Sequence, residues 1–306
     1  MMPLDALRSA LGALSAHKLR SGLTALGIII GITAVIALLS MGRGVRAFVT
    51  SQIQSLGSNL LFVQPQQVTQ GRVRGADTFL TLTIDDARAL LDWERAPAVA
   101  RVAPQANVFG QVVAGPINTR ALIVGTTPEY ETVRNVTIAE GEFLREEHVM
   151  SNALVAVLGS NVAATLFPDT SPIGQVVRIS GRPFRVLGTL KPQGGVSFGF
   201  ADDTVVVPIT TAVTRLRAQR APGRSYSVSM ISVQAVDDGR LQEAKEQVAE
   251  VLRQRHRIVG EDDFLVTGLD DIQRTFGATV QMMNLFLGAI AGISLLVGGI
   301  GIMNIM

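Results

Sequence analysis

The chain has 306 residues, 47% of them hydrophobic and only 17% charged, with a net charge of +2 and a mean hydropathy of +0.34. That is more apolar than an ordinary soluble domain and too weakly charged for a nucleic-acid surface, and the scarce aromatics leave no base-stacking platform. The absence of cysteine excludes disulfides, thiolate metal sites and a cysteine nucleophile.

Residues 1–22 form the first predicted element. Leu4, Leu7, Leu11 and Leu14 share one helical face, with Arg8 and Lys18 elsewhere. This fits an amphipathic helix at the cytoplasmic interface, with Arg8, Lys18 and Arg20 at the headgroups. Packing against further helices is the equally open alternative. Residues 23–44 follow as a membrane span. Residues 23–41 carry no charge, and ten of those nineteen are Leu, Ile or Val. Each contributes about −0.3 to −0.6 kcal/mol to insertion, and no central charge opposes them. The run is longer than the apolar core of a cleaved signal peptide. Residues 286–306 form a second span that is still apolar at the last residue, so the chain is expected to be part of a longer one with more helices. Gly27 with Gly31, and Gly288 with Gly292, have the spacing that lets helix backbones approach in lipid.

Between the spans, Val45, Phe48, Val49, Ile53 and Leu56 recur at helical steps over 45–58. Leu269, Ile272, Phe276, Val280 and Met283 do so over 269–285. These stripes are expected to extend each span as a stalk helix that transmits tilt; packing against the soluble domain is the plainer alternative. The soluble part reads as α+β. A strand near 59–64, a helix at 84–94 capped by Thr83 and an extended run at 99–108 make one β-α-β unit. A strand at 227–236, a helix at 240–255 and a strand at 264–267 make another. Together, 59–108 and 214–268 are expected to form a split ferredoxin-like lobe. Residues 109–213 are an inserted β-rich lobe with strands near 111–114, 121–125, 154–158, 174–179, 184–190 and 204–208, and a short helix at 161–167. A Gly-rich loop at 191–200 is expected to be flexible, with Phe198 and Phe200 as contact candidates at its tip.

No P-loop, G-x-S-x-G or H-E-x-x-H motif occurs. His17, His148 and His256 stand apart in sequence and are expected to be solvated. The acidic pairs at 202–203, 262–263 and 270–271 sit beside turns or helix starts, where they favour the helix dipole or face water. No catalytic, cofactor or metal residue is therefore assigned, and the chain is not expected to be an enzyme.

Several segments resemble permeases of the MacB/FtsX type. They are His17-Lys-Leu-Arg-Ser21, Leu23-Thr-Ala-Leu-Gly-Ile-Ile-Ile-Gly31 and Leu56-Gly-Ser-Asn-Leu-Leu61. Val155-Ala-Val-Leu-Gly159, Leu166-Phe167, Pro172-Ile-Gly174 and Phe184-Arg-Val-Leu-Gly188 follow, and Gly298-Gly-Ile-Gly-Ile-Met-Asn-Ile-Met306 closes the set. The resemblance implies a four-helix permease of the bacterial inner membrane, here without helices three and four. Its large domain would be extracytoplasmic. It implies a homodimer driven by a cytoplasmic P-loop ATPase that binds ATP and Mg on a separate subunit, since no ATPase sequence precedes Met1. A periplasmic adaptor and an outer-membrane channel are further implied partners, and membrane lipid is a contact; nucleic acid is not. The expected role is lever-like coupling of ATP hydrolysis to export of a drug, peptide or lipid-linked substrate. An FtsX-like regulator of a cell-wall hydrolase and a two-span sensor are the alternatives.

Overall fold

The computed structural model describes residues 26, 29–33, 36–37, 39–45, 59–66, 81–193, 201–216 and 225–303. Two compact units divide the chain: Gln52–Ile272, and Met1–Ser51 with Gln273–Met306.

Among the described residues of the larger unit, ten strands form one connected sheet. Four of them lie in the order β10 (Phe264–Gly268), β1 (Leu60–Pro65), β9 (Met230–Ala235), β2 (Val99–Ala114), and every neighbour is antiparallel. Helix α1 (Ile84–Ala89) joins β1 to β2, and α5 (Leu241–His256) joins β9 to β10, so two β-α-β units interleave. Helix α1 starts where it does because Thr83 and Asp86 form a reciprocal cap. The Asp86 N–H donates to the Thr83 hydroxyl at 3.2 Å, and the Thr83 N–H donates to the Asp86 carboxylate at 2.9 Å. It is shorter than the expected 84–94, ending in turns after Ala89. Helix α5 buries Ala244, Val248, Val251 and Leu252, one helical stripe. The left-handed residue Arg257 (φ 52°) closes it.

The remaining strands are β3 (Ile117–Thr126), β4 (Ile138–Gly141), β5 (Val155–Leu158), β6 (Val176–Ile179), β7 (Arg182–Leu190) and β8 (Thr204–Pro208). Pairing runs β2–β3–β8–β5–β7–β6 and returns from β6 to β2, where Val112 faces Ile179. Six strands therefore close a ring whose interior holds Val112, Ile123, Leu158, Val177, Ile179 and Phe184, all essentially inaccessible to solvent. Closure removes free edges, which explains how short strands such as β5 and β6 persist. The β6–β7 hairpin turns at Ser180 and Gly181, both with positive φ, the requirement of a two-residue turn matched to strand twist. Gly125 of β3 admits the helical segment that begins with Ile209–Thr211 and continues as Ala212–Leu216. A side chain there would come 2.1 Å from the Ala212 Cβ.

Two features depart from the strand pattern read in sequence. The runs at 99–108 and 111–114 are one 16-residue strand, because β2 pairs β9 along its first half and β3 and β6 along its second. It crosses the 108/109 boundary without a break. Helices α2 (Tyr130–Val133) and α3 (Glu146–Met150) and strand β4 fill a stretch where no element was predicted. A short helix α4 (Ser160–Leu166) lies one residue from its expected bounds.

The final element is α6, an unbroken helix over Leu269–Met303. Among the described residues no helix is long and apolar enough to cross a membrane. Of the first predicted span, residues 26, 29–33, 36–37 and 39–44 are described, and all of these are helical.

Candidate functional site: the joint between sheet and long helix

No residue separates β10 from α6. The strand ends at Gly268, opposite Leu61 of β1, and the helix begins at Leu269. Leu269 is 1% exposed, so the first helical side chain is already part of the domain core. Asp271, in the first turn, accepts the Gly268 N–H at 3.0 Å and the Lys245 ammonium of α5 at 2.6 Å. One carboxylate thus ties together the strand end, the long helix and α5. Asp270 and Asp271 also place negative charge where the helix dipole favours it. A continuous backbone, a buried leucine and an ion pair thus anchor the first turn of α6 to the sheet.

A second cluster secures the other end of α5. Asp86 is buried and the His256 side chain is largely covered, and the Asp86 carboxylate accepts from the Arg255 Nε–H at 2.8 Å. His256 Nδ1 lies 2.8 Å from Asp263, and Nε2 lies 3.2 Å from Asp86. Burial pushes the Asp86 carboxyl up. The hydrogen bonds and charges of His256, Arg255 and Thr83 outweigh it and hold the group well below the usual carboxylate range. The Asp263 and Asp86 carboxylates, against a smaller desolvation effect, raise His256 to about 9. The expectation of a solvated His256 is therefore corrected. Its acidic partners are supplied by α1 and the start of β10, and Asp86 lies too far away in sequence to be read locally. His148 is also largely covered, with Nδ1 accepting the Arg145 N–H at 3.1 Å.

Of the predicted stripe, Leu269 is buried, Ile272 and Val280 are half-buried, and Phe276 and Met283 are exposed. Val45 is helical and exposed, while Phe48, Val49, Ile53 and Leu56 lie outside the described residues. So do Gly27, Arg8, Lys18, Arg20, His17, Phe198 and Phe200. Gly31 is buried in a helix. Gly288 and Gly292 have no described atom within 4 Å of where a Cβ would sit, so they pack on nothing described. The close approach falls instead at Gly42, where a Cβ would meet Val280 and Asn284 at 3.5 and 3.4 Å. Its spacing from Gly31 matches no small-x-x-x-small pair, so it carries no packing motif in the sequence. The acidic pairs are all engaged. Asp202 accepts from Ser160 and Asp203 from Asn161 at the start of α4, and Asp262 holds Arg253 through two bonds.

A family model described as a MacB-like periplasmic core domain matches residues 21–251. The chain belongs to that family. Among curated relatives, the macrolide export ATP-binding/permease protein MacB of Azoarcus sp. (strain BH72) is 38% identical over 304 residues, which is 99% of this chain and 44% of the relative. The MacB protein of Bdellovibrio bacteriovorus is 36% identical over 99% of this chain and 46% of its own length. The chain thus spans less than half of the MacB proteins it matches, and the match lies in their permease and periplasmic portion, not in their ATPase domain. Two solved structures share the fold. The periplasmic region of MacB from Actinobacillus actinomycetemcomitans has a TM-score of 0.60 at 22% identity, covering 75% of this chain and 97% of that one. The extracellular domain of the noncanonic ABC-type transporter YknZ from Gram-positive bacteria has a TM-score of 0.56 at 18% identity, covering 69% of this chain and all of that one. The mixed α+β unit is therefore a periplasmic-type domain of the MacB kind.

Proposed function

We propose that this chain is the permease part of an ABC transporter of the bacterial inner membrane, crossing the bilayer at 23–44 and 286–306 and holding its α+β unit outside. In this reading a cytoplasmic P-loop ATPase on a separate subunit binds ATP and Mg, and two permease copies act together. ATP-driven movement of the spans tilts stalk helices at 45–58 and 269–285, and the outer domain moves to expel a drug, peptide or lipid-linked substrate. A split ferredoxin-like half and an inserted β-rich half are the parts so moved. A periplasmic adaptor and an outer-membrane channel complete the path. The observation that carries the reading is the absence of any linker between β10 and α6, in a chain whose MacB relatives are named as export permeases. Exposed apolar side chains at Phe286, Ile290, Ile293, Leu296, Ile300 and Met303 suit a lipid-facing helix. The eighteen helical residues 286–303 would rise about 27 Å, close to the thickness of a hydrocarbon core.

Inserting three glycines between Arg274 and Thr275 tests the lever while sparing the Asp271 cap. ATP hydrolysis by the assembled transporter is expected to persist and export to fall to background; undiminished export would refute the reading. A reporter active only outside the cytosol, inserted at the exposed turn around Asn152, is expected to be active.

A further inference from the structure

In the larger unit a cleft of about 490 Å³ opens beside α1. Val102 and Pro104 of β2, Val149 of α3 and Ile209 give it an apolar floor, and Ile84 and Leu91 add an apolar wall. Two polar groups near the floor are engaged within the protein, while the buried hydroxyl of the lining residue Thr127 has no partner among the described residues. The Thr210 hydroxyl donates to the Val149 carbonyl at 2.6 Å, and the Ile84 N–H donates to the Tyr226 carbonyl at 3.1 Å. The charges are on exposed lining residues and are unbalanced. Among the described lining residues, Asp85, Glu129 and Glu146 contribute three carboxylates against the guanidinium of Arg88, which lies 3.3 Å from Asp85. Among the described residues no basic side chain is within ion-pair distance of Glu129 or Glu146.

We propose that this cleft binds a small cationic amphiphile, an amine whose apolar body fills the floor and whose charge meets Glu129 and Glu146. The size suits a compact organic molecule, and an apolar pocket with a few charges at its edge is the usual form of a small-molecule site. A neutral ligand would forgo the carboxylates, and an anion would be repelled by them. The assignment rests on the export role proposed above, for it names what the outer domain would hold.

The probe is dansylcadaverine, an amine with a fluorescent apolar ring, and its control is the same molecule acetylated on the amine. Binding is measured by fluorescence anisotropy on the full chain in a non-ionic detergent. Saturable binding is expected, roughly tenfold weaker for the acetylated form and for the double variant E129Q/E146Q, and weaker at high salt. Both glutamates are exposed and Glu129 makes no side-chain cap, so the variant keeps the fold. Leu91→Arg, a change at an exposed position, should also repel the amine. Equal affinity for the charged and acetylated probes, no change in E129Q/E146Q, or no saturable binding would each overturn the proposal. If the glycine insertion abolishes export while the probe fails to bind, only the cleft assignment falls.

Discussion

His256 carries the clearest residue-scale consequence. Its pKa is raised to about 9 from an ordinary 6.5, so its contribution to stability is full below 6.5 and is lost as pH rises through 9. Asp86 is depressed, so its contribution is full above the ordinary carboxylate range, near 4, and is lost as pH falls below it. These two groups together favour the folded state most between about pH 4 and 6.5. The His256 side chain is only 10% exposed, so its shift corresponds to about 3 kcal/mol at most. Denaturation at pH 6 and pH 9.5 should show wild type losing much of that amount and His256→Gln losing little. Asp86→Ala should cost about 3 kcal/mol at pH 7 in the same measurement, because Arg255 would lose its carboxylate, His256 one of its two, and α1 the acceptor of its reciprocal cap. None of this was legible locally. Thr83 as a cap was, since capping needs only residues three apart; the His256 pairing joins Asp86 and Asp263, which come together only when α1, α5 and β10 pack.

At the scale of elements, helices and strands were readable where a buried stripe repeats over enough residues. The stripe of α5 and the runs that became β1, β7 and β8 each carry that signal, and they appear within two residues of expectation. Helices α2 and α3 are four and five residues long, too short for a 3.6-residue period to show, and they were missed. The joint at Gly268–Leu269 was half visible. The stripe announced a helix from Leu269, but the Asp271–Lys245 pair depends on how α5 lies against the helix start. Asp271→Ala removes both that pair and the acceptor for the Gly268 N–H. Amide exchange at residues 268–272 is expected to quicken roughly tenfold while the core strands stay protected, the pattern of a frayed first turn corresponding to about 1–2 kcal/mol. If exchange there is unaltered, Asp271 does not stiffen the joint.

For the whole molecule, β2 decides how the α+β unit behaves. Its first half belongs to the four-stranded part and its second half to the six-stranded ring, with no break between. One core of buried side chains spans both, from Leu61 and Val63 to Phe184 and Val207. The fragment 52–272 should therefore unfold in one transition. Fluorescence of Trp93, the sole tryptophan, reports the first part, and far-ultraviolet circular dichroism reports the sheet as a whole. Coincident urea curves are expected; separated midpoints would mean that the two parts move independently and that a pull on α6 reaches only one of them.

The sequence by itself determined the apolar runs, the α+β order of the larger unit and the motifs that mark the MacB-like family. These are properties of neighbours along the chain: hydropathy over twenty residues, side-chain period, caps and turn glycines. Tertiary structure alone decided the ring closure through β6 and β2, the continuity of β2, the Asp86–His256–Asp263 contacts and the cleft beside α1. Each depends on residues brought together from distant positions, and pairing free energy at such separations leaves no periodic trace in the chain.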